Sequence, residues 1–468
     1  MPPIRRVHAT IAVFVVFAVS FTAAASAQSV PANPYRPNAA DEDWTFLKSA
    51  PKTDFWDPIK YIELGPDDWS LSLSGEVRYR PETFRVLAPE GRTAARDGYL
   101  LQRYLFGTEL RMGKRFRLFG ELQGGIVNGK LQTPRPTDQN PIDLHQAFFE
   151  WRQPHGKDDQ FIVTAGRQEI EIGSSRLISA SPGLNVKRSF DGVVASYRMS
   201  SWYFSAAVAD LVALRSGTFD DGNDNSHRFW GVAATKNERR LIRSQVGAYY
   251  LGVDYKDSIY AQGRGSELRH TLGAKWSGAG DRLDLNYDIL YQWGDFSGGP
   301  IRAWAFATET GYRIPSAPWA LRVGVRTDFA SGDLNATTPG LQSFNPLFPG
   351  NAYSGAVGLL GPTNLTDLTP SVTLHPNRTV LLSAEAPSYW RTSTADGVYS
   401  TDLRVLVPPS AGTGKYVGTN PAVLVVWQAT RHMQFQGVAT RFLSGAFLQN
   451  TFVSEGFGFL SFTARYRF

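Results

Sequence analysis

Residues 459–468 read Phe459-Leu460-Ser461-Phe462-Thr463-Ala464-Arg465-Tyr466-Arg467-Phe468 and alternate to the last position. Leu460, Phe462, Ala464, Tyr466 and Phe468 fall on one face, and Phe459, Ser461, Thr463, Arg465 and Arg467 on the other. A period of two predicts a β-strand with one apolar and one mostly polar side. A last strand of this kind, ending on an aromatic, is what closes a bacterial outer-membrane barrel. Phe468 and Tyr466 are expected to form the signal read by the barrel-assembly machinery.

The same period recurs back along the chain. In 283–293, Leu283, Leu285, Tyr287, Ile289, Tyr291 and Trp293 oppose Asp284, Asn286, Asp288 and Gln292. In 319–330, Trp319, Leu321, Val323, Val325 and Phe329 oppose Arg322, Gly324, Arg326, Asp328 and Ala330. In 268–276, Leu268, Leu272, Ala274 and Trp276 are expected outside, with Arg269, Thr271, Gly273 and Lys275 inside. Such segments, about eighteen of roughly ten residues, have the length a tilted strand needs to cross a bilayer. They start near Leu71, Tyr99, Phe116, Asp143, Phe161, Ser189, Trp202, Arg228, Arg243, Leu268, Arg282, Arg302, Trp319, Leu365, Thr379, Lys415, Met433 and Phe457.

Short turns at Gly113-Lys114, Ser200-Ser201 and Asn237-Glu238, and in 278–281, 375–378 and 430–432, alternate with longer loops. These occupy 84–97, 128–141, 173–187, 217–226, 332–362, 392–414 and 444–456. Short connections on one side and long ones on the other are the periplasmic and extracellular asymmetry of bacterial barrels. Trp151, Tyr197, Trp276, Trp293, Tyr312, Trp319, Trp427 and Tyr466 suit two aromatic girdles. The expected fold is therefore an all-β, transmembrane antiparallel β-barrel of about 18 strands, with sixteen the nearest alternative. A soluble sandwich would leave large apolar patches in water.

The other end of the chain is consistent with that address. Arg5 and Arg6 precede an apolar stretch from Ala9 to Ala25, and Ala25-Ser26-Ala27 is a small-x-small cleavage site. Residues 1–27 are thus expected to be a secretory signal peptide, 28–68 a short periplasmic lead-in with a helical turn near Trp44–Lys48, and 69–468 the barrel. The chain has no cysteine, which suits export through an oxidising periplasm. Its net charge of +6 falls to about +4 without Arg5 and Arg6. The kind of base is more telling: 37 of the 48 basic residues are arginine, the better carboxylate binder.

If the apolar face meets lipid, the opposite face lines a lumen. The inward set includes Arg78 and Arg80 with Glu76 on the first strand, then Arg103, then Arg117 and Glu121, then Glu150 and Arg152. Arg322 and Arg326 follow, and Arg465 and Arg467 end the series. Barrel closure pairs the last strand with the first, so Arg465 and Arg467 are expected beside Arg78 and Arg80. Such an arginine cluster suits anions, and guanidinium takes uronate carboxylates bidentately. The plainer reading of each arginine is a cross-strand pair with a neighbouring acid.

Several blocks resemble the alginate export family of outer-membrane barrels. They are Asp57-Pro58-Ile59-Lys60-Tyr61-Ile62 with Leu73-Ser74-Gly75-Glu76-Val77-Arg78, and Asp143-Leu144-His145-Gln146-Ala147-Phe148 with Gly166-Arg167-Gln168-Glu169 and Gly173-Ser174-Ser175-Arg176. Arg188-Ser189-Phe190-Asp191-Gly192, Phe344-Asn345-Pro346-Leu347-Phe348-Pro349 and Asp396-Gly397-Val398-Tyr399 continue the likeness. The resemblance implies a monomeric eighteen-stranded barrel with a basic conduit for a polyuronate. It also implies that Arg78, Arg167, Glu169, Arg176 and Asp191 build the conduit's charged wall. One departure stands out: the family's alginate exporters share a long periplasmic loop where this chain has the tight turn Ala429-Thr430-Arg431-His432.

The expected function is an outer-membrane channel for anionic saccharides or an alginate-like polyuronate, with no cofactor or metal. Its partners would be outer-membrane lipid, the assembly machinery and the saccharide. The alternatives are a general nutrient porin, an outer-membrane hydrolase and an adhesive barrel. A hydrolase needs a positioned His, and His145 is the best placed of the seven. Its alternation with Ala147, Phe149 and Trp151 puts it on the lipid side. The long loop at 332–362, with Phe344, Leu347 and Phe348, reads as one that folds inward or over the mouth.

Overall fold

The computed structural model describes residues 34–65, 68–86, 96–155, 159–238, 242–335, 337–350, 358, 360–449, 451 and 454–468. The expected signal peptide lies outside the described residues. Eighteen antiparallel strands form one closed barrel, each paired with its chain neighbours. The first is Trp69–Val86 and the last Phe457–Arg467. These two close the ring, with Glu76 opposite Arg467, Arg78 opposite Arg465 and Thr83 opposite Leu460.

Alternation sets which residues meet lipid. Val232, Leu272, Ile289, Trp304, Val325 and Leu460 all point outward, and Ile289 is 59% exposed. Their inward neighbours Arg269, Thr271, Asp288 and Gln292 are fully buried. The fifteenth strand is Val380–Glu385 with Ser388–Arg391, and the sixteenth Tyr416–Thr419 with Ala422–Gln428. Each breaks at a proline, Pro387 and Pro421, which cannot donate to the ladder. The gap is bridged where Asn420 N–H donates to the Pro387 carbonyl at 2.8 Å.

Three expectations shift. The thirteenth strand, Arg322–Ala330, starts later than Trp319, because Trp319 and Ala320 adopt left-handed φ of 59° and 51° in the preceding turn. The eighth and tenth strands, Gly222–Glu238 and Gly263–Ala279, start earlier than expected. Their added residues are polar or glycine, so no apolar alternation marks them. Finally, His145 is not on the lipid side. The fourth strand, Asn140–His155, slips register between Glu121/Gln146 and Leu122/Leu144. This bulge turns His145 and Gln146 inward together, and both are buried.

Parts of two long connections pack inward against the barrel wall. Ile172, Leu177 and Ile178 from 169–189 pack with Phe344, Leu347 and Phe348 from 331–364, against Phe190, Phe229, Tyr249 and Leu251 of the wall. Phe348 N–H donates to the Leu177 carbonyl at 2.8 Å, which ties the two loops together. Of the loop at 332–362, the described stretch 344–348 turns inward as expected.

The chain's last residue is held from both sides. Phe468 exchanges backbone hydrogen bonds with Gly75 at 2.8 and 3.0 Å, and its ring stacks on Trp56 at 4.3 Å. A Cβ on Gly75 would run into that ring. Gly75→Val is therefore expected to destabilise the barrel by about 1–3 kcal/mol through overpacking. Phe468→Ala should cost about 1–2 kcal/mol for a half-buried ring. The double variant should cost less than the sum, because the clash is gone. The temperature at which the folded gel band is lost measures all three.

Candidate functional site

The seam gathers more positive charge than it neutralises. Glu76, buried, accepts from Arg103 Nε at 2.8 Å and Nη2 at 2.5 Å, and from Arg467 Nε at 2.9 Å. Arg465 Nε lies 3.5 Å away. Arg80 pairs with Glu82 at 2.8 Å. Arg78, 1% exposed, has no carboxylate within salt-bridge reach among the described residues. Five guanidiniums thus face two carboxylates.

A loop tip supplies the oxygens these arginines lack. Ser181 takes a left-handed φ of 51° and starts the turn Ser181-Pro182-Gly183-Leu184-Asn185. Arg103 donates to the Pro182 carbonyl at 2.9 Å and the Leu184 carbonyl at 3.0 Å. Arg78 donates to Leu184 O at 2.8 Å and Asn185 Oδ1 at 3.2 Å, and Arg80 to Gly183 O at 2.6 Å.

Beside the seam lies a buried hub. The bulged His145 places Nε2 3.0 Å from Glu169 and 3.8 Å from Glu121. Lys187 also pairs with Glu169. Burial would raise the Glu169 carboxyl, but Lys187 and His145 hold it down at about 2. Glu121 also accepts from Gln146 at 3.2 Å. Arg117 bonds Glu109 at 2.8 Å and Glu150 at 3.4 Å, and Arg152 pairs with the same Glu150. Arg167 grips Asp191 bidentately at 2.8 and 3.0 Å.

The opposite wall is closer to neutral. Arg322 pairs with Asp284 at 2.6 Å and Glu309 at 3.2 Å. Arg326 meets Asp367 at 3.4 Å, and Arg176 meets Asp288 and Asp328, both at 3.3 Å. The structure therefore brings Arg78, Arg80, Arg103, Arg465 and Arg467 together, as closure required. It groups Arg117, Glu121, Glu150, Arg152 and Glu169 nearby, leaves Arg322 with Asp284 and Glu309, and joins Arg176 to Arg326 through Asp328. Sequence reasoning missed His145, Lys187 and the loop tip, because the bulge and the inward fold leave no periodic signal.

The lead-in adds a further layer. Tyr35, Trp44, Leu47 and Tyr61 form its own small core. Lys60 lies 4.8 Å from the Trp44 ring and 3.5 Å from Glu42. Burial pushes the Glu42 carboxyl up and the Lys60 ammonium down, each opposed by the other's charge. Ala40 packs on Phe119 and Phe148, and its carbonyl accepts from Arg117. Asn38 Oδ1 accepts from Gln146 at 2.9 Å.

The model of the alginate export family matches residues 69–456. Among solved structures, a BenF-like porin from Pseudomonas fluorescens superposes with a TM-score of 0.59 at 11% identity, over 85% of this chain and 98% of that one. OpdK of Pseudomonas aeruginosa, solved with vanillate, gives 0.57 at 10%, over 85% and 98%. OccAB3 of Acinetobacter baumannii gives 0.56 at 10%, over 85% and 99%. At such identities the likeness is one of fold. No curated protein matches the chain in sequence.

Removing Glu76 strands three neighbouring guanidiniums without their shared acceptor. Glu76→Ala is expected to cost about 3–5 kcal/mol, the range for breaking a buried pair. Adding Arg103→Ala should restore part of that loss, measured by urea unfolding in lipid vesicles.

Proposed function

The chain belongs to the alginate export family, and from that premise we propose that it is an outer-membrane channel selective for anionic saccharides, uronate-bearing ones above all. The observation that carries this reading is the seam cluster of five arginines against two carboxylates. Arg78, Arg80, Arg103, Arg465 and Arg467 are the residues assigned to the conduit. Arg117, Glu121, Glu150, Arg152, Arg167, Glu169, Arg176, Asp191, Arg322 and Arg326 make up the rest of its charged wall. Guanidinium is weakly hydrated and planar, so it exchanges a carbonyl for a carboxylate with little reorganisation. The loop-tip carbonyls occupy the positions that substrate oxygens would take. Apolar packing of the two loops on the far side lowers the local dielectric and strengthens the field at the seam.

Family and fold neighbours are channels and porins rather than enzymes. We assign export to residues 1–27, the assembly signal to Tyr466 and Phe468, and a monomeric state to the barrel. A second reading is uptake of small organic anions rather than passage of a polymer. It is favoured by the two loops whose apolar residues pack inward against the barrel wall.

Planar-bilayer recording tests the proposal. Expected is an anion-selective current that uronate oligomers block and neutral oligosaccharides of equal size do not. Cation preference would overturn it. Arg78→Ala with Arg465→Ala should weaken anion selectivity more than Arg322→Ala, because Arg322 is already matched by Asp284 and Glu309.

A further inference from the structure

We propose that residues 34–47 are a substrate-mimicking plug, seated at the periplasmic end of the conduit and displaced by the polyanion it imitates. This rests on the channel reading above and concerns how that channel is held shut.

The segment does not trail below the barrel; it is seated on inward-facing side chains. Asn38 meets Gln146, the Ala40 carbonyl meets Arg117, and Ala40 packs on the inward rings of Phe119 and Phe148. Lys187 of the inward loop reaches the Pro37 carbonyl at 3.5 Å. Immediately after Ala40 come three successive acids, Asp41-Glu42-Asp43. Asp43 lies 3.6 Å from Arg111, the Glu42 carbonyl accepts from Arg111 at 3.4 Å, and the Arg467 charge acts on the Glu42 carboxylate. The Asp43 carboxylate and the Ala40 and Glu42 carbonyls thus occupy Arg111 and Arg117, guanidiniums a polyuronate would bind, while the Glu42 carboxylate is turned to Lys60 and Trp44.

The seat is built to release. Its apolar contact with the wall is Ala40 on two rings with Ala39 beside it, and Tyr35 on the His432 ring at 5.1 Å, whereas its larger aromatic core is internal to the lead-in. The stronger, polar anchor follows it in the chain. Asp54 and Asp57 bind Arg431 at 3.0 and 2.8 Å, and Asp54 binds His432 at 2.9 Å. Trp56 donates to Tyr466 Oη at 2.7 Å and stacks on Phe468. These contacts fix 54–57 to the rim, so 34–47 can leave the mouth without leaving the protein. Polyanion arriving from the periplasm competes for the same guanidiniums and frees the mouth in proportion to its charge.

The chain has no cysteine, so a thiol pair can be introduced cleanly. Full-length protein carrying Asn38→Cys and Gln146→Cys is joined by a short reducible bis-methanethiosulfonate linker and recorded in planar bilayers. With polyuronate on the periplasmic side, linking should abolish most of the anion current, and reduction should restore it. In the unlinked protein, polyuronate should raise open probability even as it interrupts the current within each opening, and neutral glucan should do neither. Asp41→Asn with Asp43→Asn should be open without polyuronate. Equal current in the linked and reduced forms, with the linkage verified by mass, would overturn the plug and leave the channel standing. No anion current in the reduced form with polyuronate present, nor in the double variant, would overturn the channel reading and the plug with it.

Discussion

A backbone inside a bilayer has no water to bond, so every N–H and C=O must be paired by protein. For this chain the requirement is met only when Phe457–Arg467 joins Trp69–Val86. That one ladder turns an open sheet into a barrel with no edge. Joining it also fixes electrostatics. The inward positions of the two terminal strands carry Arg78, Arg80, Arg465 and Arg467, which lie far apart in sequence and repel each other in space. Glu76 is what makes the join tolerable, since it accepts from Arg103 and Arg467 with Arg465 alongside.

The lumen that results is lopsided. Opposite the seam, two loops build an apolar core against Phe190, Phe229 and Tyr249, and the arginines there are matched by aspartates and glutamates. At the seam the match is incomplete, and backbone carbonyls of 182–184 make up the difference. A neutral carbonyl satisfies the hydrogen bond but not the charge. The seam therefore keeps a surplus of positive charge, and the Nε groups of Arg78 and Arg465 find no hydrogen-bond acceptor among the described residues.

Much of this is legible in the sequence alone. Strand count, sidedness and the meeting of Arg465 and Arg467 with the first strand follow from a period of two and from closure. What could not be read has a physical cause in each case. The bulge at His145 inserts one residue and reverses the alternation on one side of it, so the ring looked lipid-facing. Above the membrane the eighth and tenth strands no longer need an apolar face, and their pattern fades. The loop tip at 181–185 and the seat at Asn38 and Ala40 are tertiary contacts between segments with no periodicity of their own.

The clasp at the rim has a consequence for the order of events in biogenesis. Trp56 precedes the first barrel strand, yet its partners Tyr466 and Phe468 are 410 residues and more downstream, and those of Asp54 and Asp57 lie at 431–432. The clasp at 54–57 can therefore close only after the last hairpin is in place. Until then these residues lack their partners, although 38–43 already have theirs on the early strands. The clasp is a mark of completion, so that a barrel whose last strands have not joined is distinguishable, by an unclasped segment at its base, from one that is finished.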